Sequence, residues 1–234
     1  MKIKFQYIGL LALILAATSC KKDNFEAPSS TLTGKIHYQG EAIQVEYNRV
    51  PFELYQFGFG KIGSIAGTFT QEGTYSMVLF DGQYKFIVPN DQGPFLWNRT
   101  AGGAPDSLDI TVAGSQALDI EVTPYYMIRT PQLTAASGKV TGTFKIEKIV
   151  VNASAREVEN VTLYINKTQF VSEGDNNVAR ASMNAADITD PNNVTMELAI
   201  PNIVPTQSYV FARIGLKIEG VEDRIYSPVV KLTY

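Results

Sequence analysis

From Thr31 onward the apolar residues recur at every second position, and no stretch of eleven or more residues carries them at helical spacing. A period of two belongs to strands, whose successive side chains face opposite sides of a sheet. Ile43, Val45 and Tyr47 alternate with Gln44 and Glu46; Leu108, Ile110 and Val112 with Asp109 and Thr111; Leu118, Ile120 and Val122 with Asp119 and Glu121. The second half repeats the pattern at Val140 to Ile146, Val161 to Ile165 and Val194 to Ile200, and ends in the runs Tyr209 to Ile218 and Ile225 to Tyr234. Asp81-Gly82, set between the apolar run ending Leu79-Phe80 and Gln83-Tyr84, predicts a tight hairpin turn. The one helical hint is Met183 to Ile188. Proline is poorly tolerated inside a sheet, so Thr123-Pro124 predicts a boundary. The expectation is an all-β chain of two tandem antiparallel β-sandwiches, residues 31–124 and 125–234.

The first nineteen residues stand apart. Lys2 and Lys4 precede the apolar run Ile8 to Ala17 and the small residues Thr18 and Ser19, the layout of an export signal. The apolar run is about half the roughly 20 residues a membrane-crossing helix needs, so a permanent span is not expected. Next comes Cys20, the single cysteine of the chain. Leu15 to Cys20 resembles the lipobox of bacterial lipoproteins, with Ala17 where Leu is usual and Ser19 where Gly or Ala is usual. The resemblance implies that residues 1–19 are a lipoprotein signal peptide and that Cys20, acylated, anchors the chain to a bilayer. The alternative is ordinary cleavage after Ser19, since Ala17 and Ser19 also meet the small-x-small rule. Residues 20–30, polar and ending Pro28-Ser29-Ser30, read as a tether reaching about 30–35 Å when extended. Loss of Lys2 and Lys4 moves the formal net charge from −3 to −5, which gives no reason to expect a nucleic-acid partner or a polybasic membrane patch.

Thr33-Gly34-Lys35-Ile36, Gly67 to Tyr75 and Asp81 to Val88 together resemble the transthyretin-like or carboxypeptidase-regulatory-like sandwich. Arg213 to Lys217 followed by Ile225 to Pro228 resembles the last two strands of an immunoglobulin-like or fibronectin-III-like module. The whole order, with Asn24 to Pro28, Thr31 to Gly34 and the Val122-Thr123-Pro124-Tyr125 junction, resembles a Bacteroidota lipoprotein family of undetermined function, commonly encoded beside SusC/SusD-type uptake systems. That resemblance implies an outer-membrane lipoprotein, surface-facing. It further implies a non-catalytic accessory to a SusC/SusD-like TonB-dependent nutrient uptake complex, with that transporter and other surface lipoproteins as partners and a glycan or peptide as ligand. A structural or adhesive spacer with protein contacts only is the rival reading.

Sugars stack their C–H faces on aromatic rings while their hydroxyls need polar partners at the rim. The long loop Asn90 to Asp106 supplies Phe95, Trp97, Asn98 and Arg99, and Tyr55, Phe57 and Phe59 form a second aromatic segment. These seven are the candidate ligand contacts, with Trp97 foremost; the opposing reading is that Phe95 and Trp97 cap the sandwich. With one Cys and one His there is no disulfide framework and no Cys/His zinc site, and any His-dependent catalysis would rest on His37 alone. Asp106 with Asp109 and Glu157 with Glu159 are carboxylate pairs better read as surface charge than as a hydrolase pair. Glu173 to Asn177 and Asp187 to Asn193 offer oxygen ligands of the kind calcium takes, but in turn-like sequence. No cofactor, metal or enzymatic activity is expected.

Overall fold

The structure, a computed structural model of the 234-residue chain, describes residues 26–58 and 63–234. The signal segment, Cys20, the start of the tether and Phe59 lie outside the described residues.

The first sandwich contains β1 (Ser30–Tyr38), β2 (Glu41–Ala42), β3 (Pro51–Gln56), β4 (Ser64–Thr68), β5 (Thr74–Leu79), β6 (Gly82–Ile87), β7 (Phe95–Leu96), β8 (Leu108–Val112), β9 (Gln116–Ala117), β10 (Ile120–Glu121) and β11 (Thr123–Pro124). One sheet runs β4-β3-β6-β8; the other centres on β1, which pairs with β2, β5, β9 and β10. The alternation read from sequence places Phe52, Leu54, Tyr84 and Phe86 inward from one sheet and Leu32, Ile36 and Tyr75 from the other. Phe52 meets Phe86, Phe69 and Tyr75 at ring-centroid distances of 4.9, 5.0 and 5.3 Å.

Two local expectations change. The ladders of β1 with β9 and β10 are parallel, and the run Leu118 to Val122 is broken into short pieces where it crosses β1. Gly34 admits the crossing chain this closely: a Cβ there would lie 1.8 Å from the Leu118 carbonyl oxygen. That oxygen instead accepts the Tyr75 hydroxyl at 2.7 Å. The Asp81-Gly82 hairpin is also corrected, because β5 pairs with β1 while β6 pairs with β3 and β8. The turn is an arch between the two sheets. The Asp81 carboxylate accepts the Ser30 hydroxyl and the Gly114 N–H, and the Tyr84 hydroxyl donates to the Phe80 carbonyl, so these bonds hold the chain across the sandwich instead of folding it back on itself.

The second sandwich contains β12 (Tyr126–Ala136), β13 (Lys139–Lys148), β14 (Val158–Asn166), β15 (Ala179–Asn184), β16 (Val194–Ala199), β17 (Tyr209–Ile218), β18 (Ile225–Tyr226) and β19 (Val230–Thr233). Its sheets are β12-β13-β16 and β15-β14-β17-β18, with β19 also on β17. The helical hint resolves into the end of β15 and a single 3₁₀ turn, Ala185–Asp187. Val140, Phe144 and Ile146 of β13 face Val161, Leu163 and Ile165 of β14 and Val210, Ala212, Ile214 and Leu216 of β17 across the core.

The outer face of β14 and β17 is where the sandwiches meet. Thr162, Tyr164 and Arg213, which alternate with the core residues of these strands, are buried as well, and Arg213 is buried against the first sandwich. The fully buried Arg213 guanidinium donates Nη2 to the Val45 carbonyl at 2.7 Å and lies 3.6 Å from the Tyr226 ring centroid. The Tyr226 N–H donates to Gln44 O at 3.0 Å, Gln71 Nε2 to Gln169 O at 3.0 Å, and the Ser172 hydroxyl to Glu46 Oε1 at 3.0 Å. Burial pushes the Arg213 guanidinium down to about 10, so it remains a cation at neutral pH. Loss of hydration for such an ion costs several kcal/mol; the Nη2 bond to Val45, a longer one from Nη1 to Gln71 Oε1 at 3.4 Å and the Tyr226 ring return part of it, while the buried Nε has no partner among the described residues. The net attraction comes from apolar burial: Ile43, Val45 and Val50, in the segment that meets β17, are fully covered, and one continuous hydrophobic cluster runs through both sandwiches.

A second charged layer flanks the seam. Glu173 takes Arg224 Nε at 2.6 Å and Arg180 Nη1 at 3.4 Å, and the hydrogen bond from Arg224 holds its carboxyl below the usual carboxylate value. A carboxylate with a depressed folded-state pKa stabilises the fold above its unfolded pKa and loses that contribution as pH falls through the folded value. The Glu173 side chain is 43% exposed, so solvent screens part of this, and Glu173→Gln should lower stability by about 0.5–1 kcal/mol at pH 7. In urea unfolding followed across pH, the gap from the unsubstituted protein should close as pH drops below 4.5, the ordinary value for this carboxyl; a gap that does not change with pH would contradict the assignment.

Candidate functional site

The loop between β6 and β8 is stitched to the junction of the sandwiches. Its strand β7 pairs with β11, Pro94 O accepts the Tyr125 N–H at 3.1 Å, and the Gly93 N–H donates to the buried Asp223 carboxylate at 2.8 Å. Gly93, at φ 79°, has the Phe95 ring against its α-carbon, where a Cβ would come within 2.6 Å. Beyond β7 the chain closes on itself: the Asp106 N–H bonds Asn98 O at 2.8 Å and the Thr100 N–H bonds Ala104 O at 2.9 Å. A long loop of this kind is held by its own backbone bonds and is ordered without being buried.

Trp97 stands at the centre of this arrangement, half-buried. Its indole Nε1 donates to Asp106 O at 2.7 Å, which fixes the ring, and its inner edge rests on Phe86 at a centroid distance of 6.1 Å. A hollow opens on each side. One is the groove between the sandwiches, where Trp97 meets Asn90, Arg99, Tyr125, Arg156 and Val221. The other is formed with Asn98, Asp106, Leu108, Glu121 and Thr123. Arg99 Nη2 is paired with Asp91 at 3.0 Å. The indole thus forms a fixed apolar ledge with polar groups at both rims, a geometry suited to a flat ligand with an apolar face and hydroxyls at its edge.

The other sequence candidates divide. Phe95 is 3% exposed and is a core residue beneath the ledge, so it offers no stacking face; it fills the space under Gly93, the capping role weighed against it. Asn98 and Arg99 are exposed at the rims. Tyr55 and Phe57 do not join them. Tyr55 pairs with Lys85 in the β3–β6 ladder and Phe57 lies beyond Gln56, which pairs with Tyr84; neither lines either hollow beside Trp97. Tyr55 donates its hydroxyl to Glu53 at 2.6 Å and Phe57 is exposed beside Gln83, Lys85 and Thr111.

The remaining polar candidates are engaged elsewhere. His37 Nδ1 lies 2.6 Å from Glu121, Asp109 pairs with Lys85 at 2.6 Å, and Glu157 with Lys148 at 2.6 Å. Asn177 Nδ2 donates to Ser172 O and Gly174 O, and Asp190 accepts the Asn192 N–H, which is turn chemistry. Among the described residues no three His, Cys, Asp or Glu side chains cluster as metal ligands would. What the sequence did not indicate is the contribution of Tyr125, Arg156 and Val221, which reach the groove only because the sandwiches dock.

Two family models match the chain: the DUF3823 N-terminal domain, of unknown function, over residues 30–123, and the DUF3823 C-terminal domain, also of unknown function, over residues 126–231. A crystal structure of a DUF3823 family protein from Parabacteroides merdae is 31% identical, with a TM-score of 0.76 over 89% of this chain and 100% of that one. Another from Bacteroides ovatus is 33% identical, with a TM-score of 0.75 over 88% and 99%. A protein from Bacteroides uniformis described as a candidate carbohydrate-binding protein shares the fold at 18% identity, with a TM-score of 0.70 over 89% and 100%. No curated protein matches.

Proposed function

Because the chain belongs to the DUF3823 family, whose paired domains account for nearly all of it after residue 30, we propose that it is a non-catalytic glycan-binding lipoprotein of the outer-membrane surface, accessory to a SusC/SusD-like uptake complex. The observation that carries this reading is the Trp97 ledge: one indole, pinned through its own N–H, between two polar-rimmed hollows. The carbohydrate-binding description of the Bacteroides uniformis relative points the same way.

The position of the ledge suits a tethered protein. β1 begins at Ser30 beside Asp81 and Gly114, and the groove lies near the far end of β1, where β10 leads into β11. The nine residues of β1 separate the two by about 25–30 Å at roughly 3.3 Å per residue. A chain anchored through Cys20 would thus enter the first sandwich at the end of β1 remote from the groove, leaving the groove clear for incoming glycan and for a neighbouring transporter.

Two tests follow. Isothermal titration against a panel of glycans and peptides should find a glycan ligand, and Trp97→Ala should weaken it about tenfold or more, the loss of a stacking contact of ~1.4 kcal/mol. As the one tryptophan of the chain, Trp97 should also change its fluorescence on binding. Binding to nothing in the panel would favour the spacer reading instead. From native cells, mass spectrometry should find Cys20 acylated at the mature N-terminus, and pull-down from detergent-solubilised outer membrane should recover the transporter proteins. A free thiol, or repeated recovery of this chain alone, would contradict the placement.

A further inference from the structure

The groove beside Trp97 has a charge character that the aromatic ledge alone does not explain. Its lining holds two guanidinium groups, Arg99 and Arg156, and one carboxylate, Asp91. Asp91 is committed to Arg99 at 3.0 Å. Of the acids just beyond the lining, Glu222 accepts Gln92 Nε2 at 3.1 Å and the buried Asp223 accepts the Gly93 N–H at 2.8 Å. Arg156 forms no ion pair with any described residue. Yet it is not a loose surface side chain. Its carbonyl accepts the Tyr126 hydroxyl at 2.8 Å, and the turn before it is closed by the Ala155 N–H to Asn152 O at 2.9 Å. Its guanidinium rests on the bare α-carbon of Gly220, where a Cβ would lie 2.9 Å from Nη1. A seated guanidinium with no carboxylate partner, opening onto an aromatic groove, is a place for an anion.

Resting on the glycan-binding reading above, we infer that the ligand is an acidic glycan: the Trp97 ring takes the apolar face of a sugar residue while Arg156 takes the carboxylate or sulfate carried by that residue or the next. Arg99, already neutralised by Asp91, serves the neutral hydroxyls. The site spans both sandwiches, since Trp97 comes from the first and Arg156 from the second.

Titration calorimetry with polygalacturonate, alginate, chondroitin sulfate and a neutral panel tests this, with fully methyl-esterified polygalacturonate as the same backbone stripped of charge. At least one acidic polymer should bind, more tightly than its uncharged counterpart, and the preference should weaken with added salt. Arg156→Ala should cost about tenfold or more in affinity for the acidic polymer, as expected when a charge-assisted hydrogen bond is lost, and clearly less for a neutral glycan, which has no charge to pair with it. Arg156→Lys should restore part of it. Lys145→Ala, which removes the same charge from an exposed position on β13, should change nothing. Arg156 is exposed, so its variants should melt as the parent does. Equal binding of charged and esterified polymer, binding of neutral glycans only, or an Arg156→Ala protein with unchanged affinity would overturn the acidic-ligand inference and leave glycan binding standing. Failure to bind any glycan would overturn the reading beneath it.

Discussion

A cation buried on the outer face of a strand is a demanding neighbour, and Arg213 makes that demand of the whole molecule. Its guanidinium lies on the Tyr226 ring with Nη2 bonded to the Val45 carbonyl, fully out of water. A sheet face carrying such a group can be covered only by a surface that presents an acceptor at that point. The segment Ile43 to Val50 of the first sandwich does so while delivering Ile43, Val45 and Val50 to the shared core. Apolar contact supplies the attraction and the buried charge selects the docking angle, a division of labour common where polar groups are retained inside interfaces.

The groove is a consequence of that angle. Docking brings Arg156, Gly220 and Val221 of the second sandwich against the loop from Pro89 to Arg99. The same loop is tied to the junction through β7 with β11 and to the second sandwich through Gly93 and Asp223. Trp97 is therefore held from three sides: by Phe86 below, by the Asp106 carbonyl at its N–H, and by a backbone that the domain junction fixes. Little has to be ordered when a ligand arrives, which removes much of the entropic cost of binding.

Much of the fold was legible in the sequence because alternation is a local property. β13 buries Val140, Phe144 and Ile146 as its spacing predicts, and Arg213 to Lys217 falls on the long strand β17. What local pattern could not convey was which strands pair. Asp81-Gly82 has the composition of a hairpin turn, and its role as an arch depends on bonds from Ser30 and Gly114, residues far away in the chain. Nor could alternation along β17 show that Arg213, between the core residues Ala212 and Ile214, is buried against the other sandwich. For the site, the length and aromatic content of the loop marked Trp97, Asn98 and Arg99. Phe95 looked identical in sequence and went into the core, Tyr55 and Phe57 line neither hollow, and Arg156 had no signal at all, since an arginine in a polar loop acquires meaning only from what docks beside it.

The central claim is that the two sandwiches form one body and that Arg213 couples them. Differential scanning calorimetry of the mature chain measures this directly. The account predicts one cooperative transition with equal calorimetric and van't Hoff enthalpies, resolved into two by Arg213→Ala as the Val45 carbonyl and Gln71 lose their partner. Two independent transitions in the unsubstituted protein, or a single transition that Arg213→Ala leaves unchanged, would contradict it.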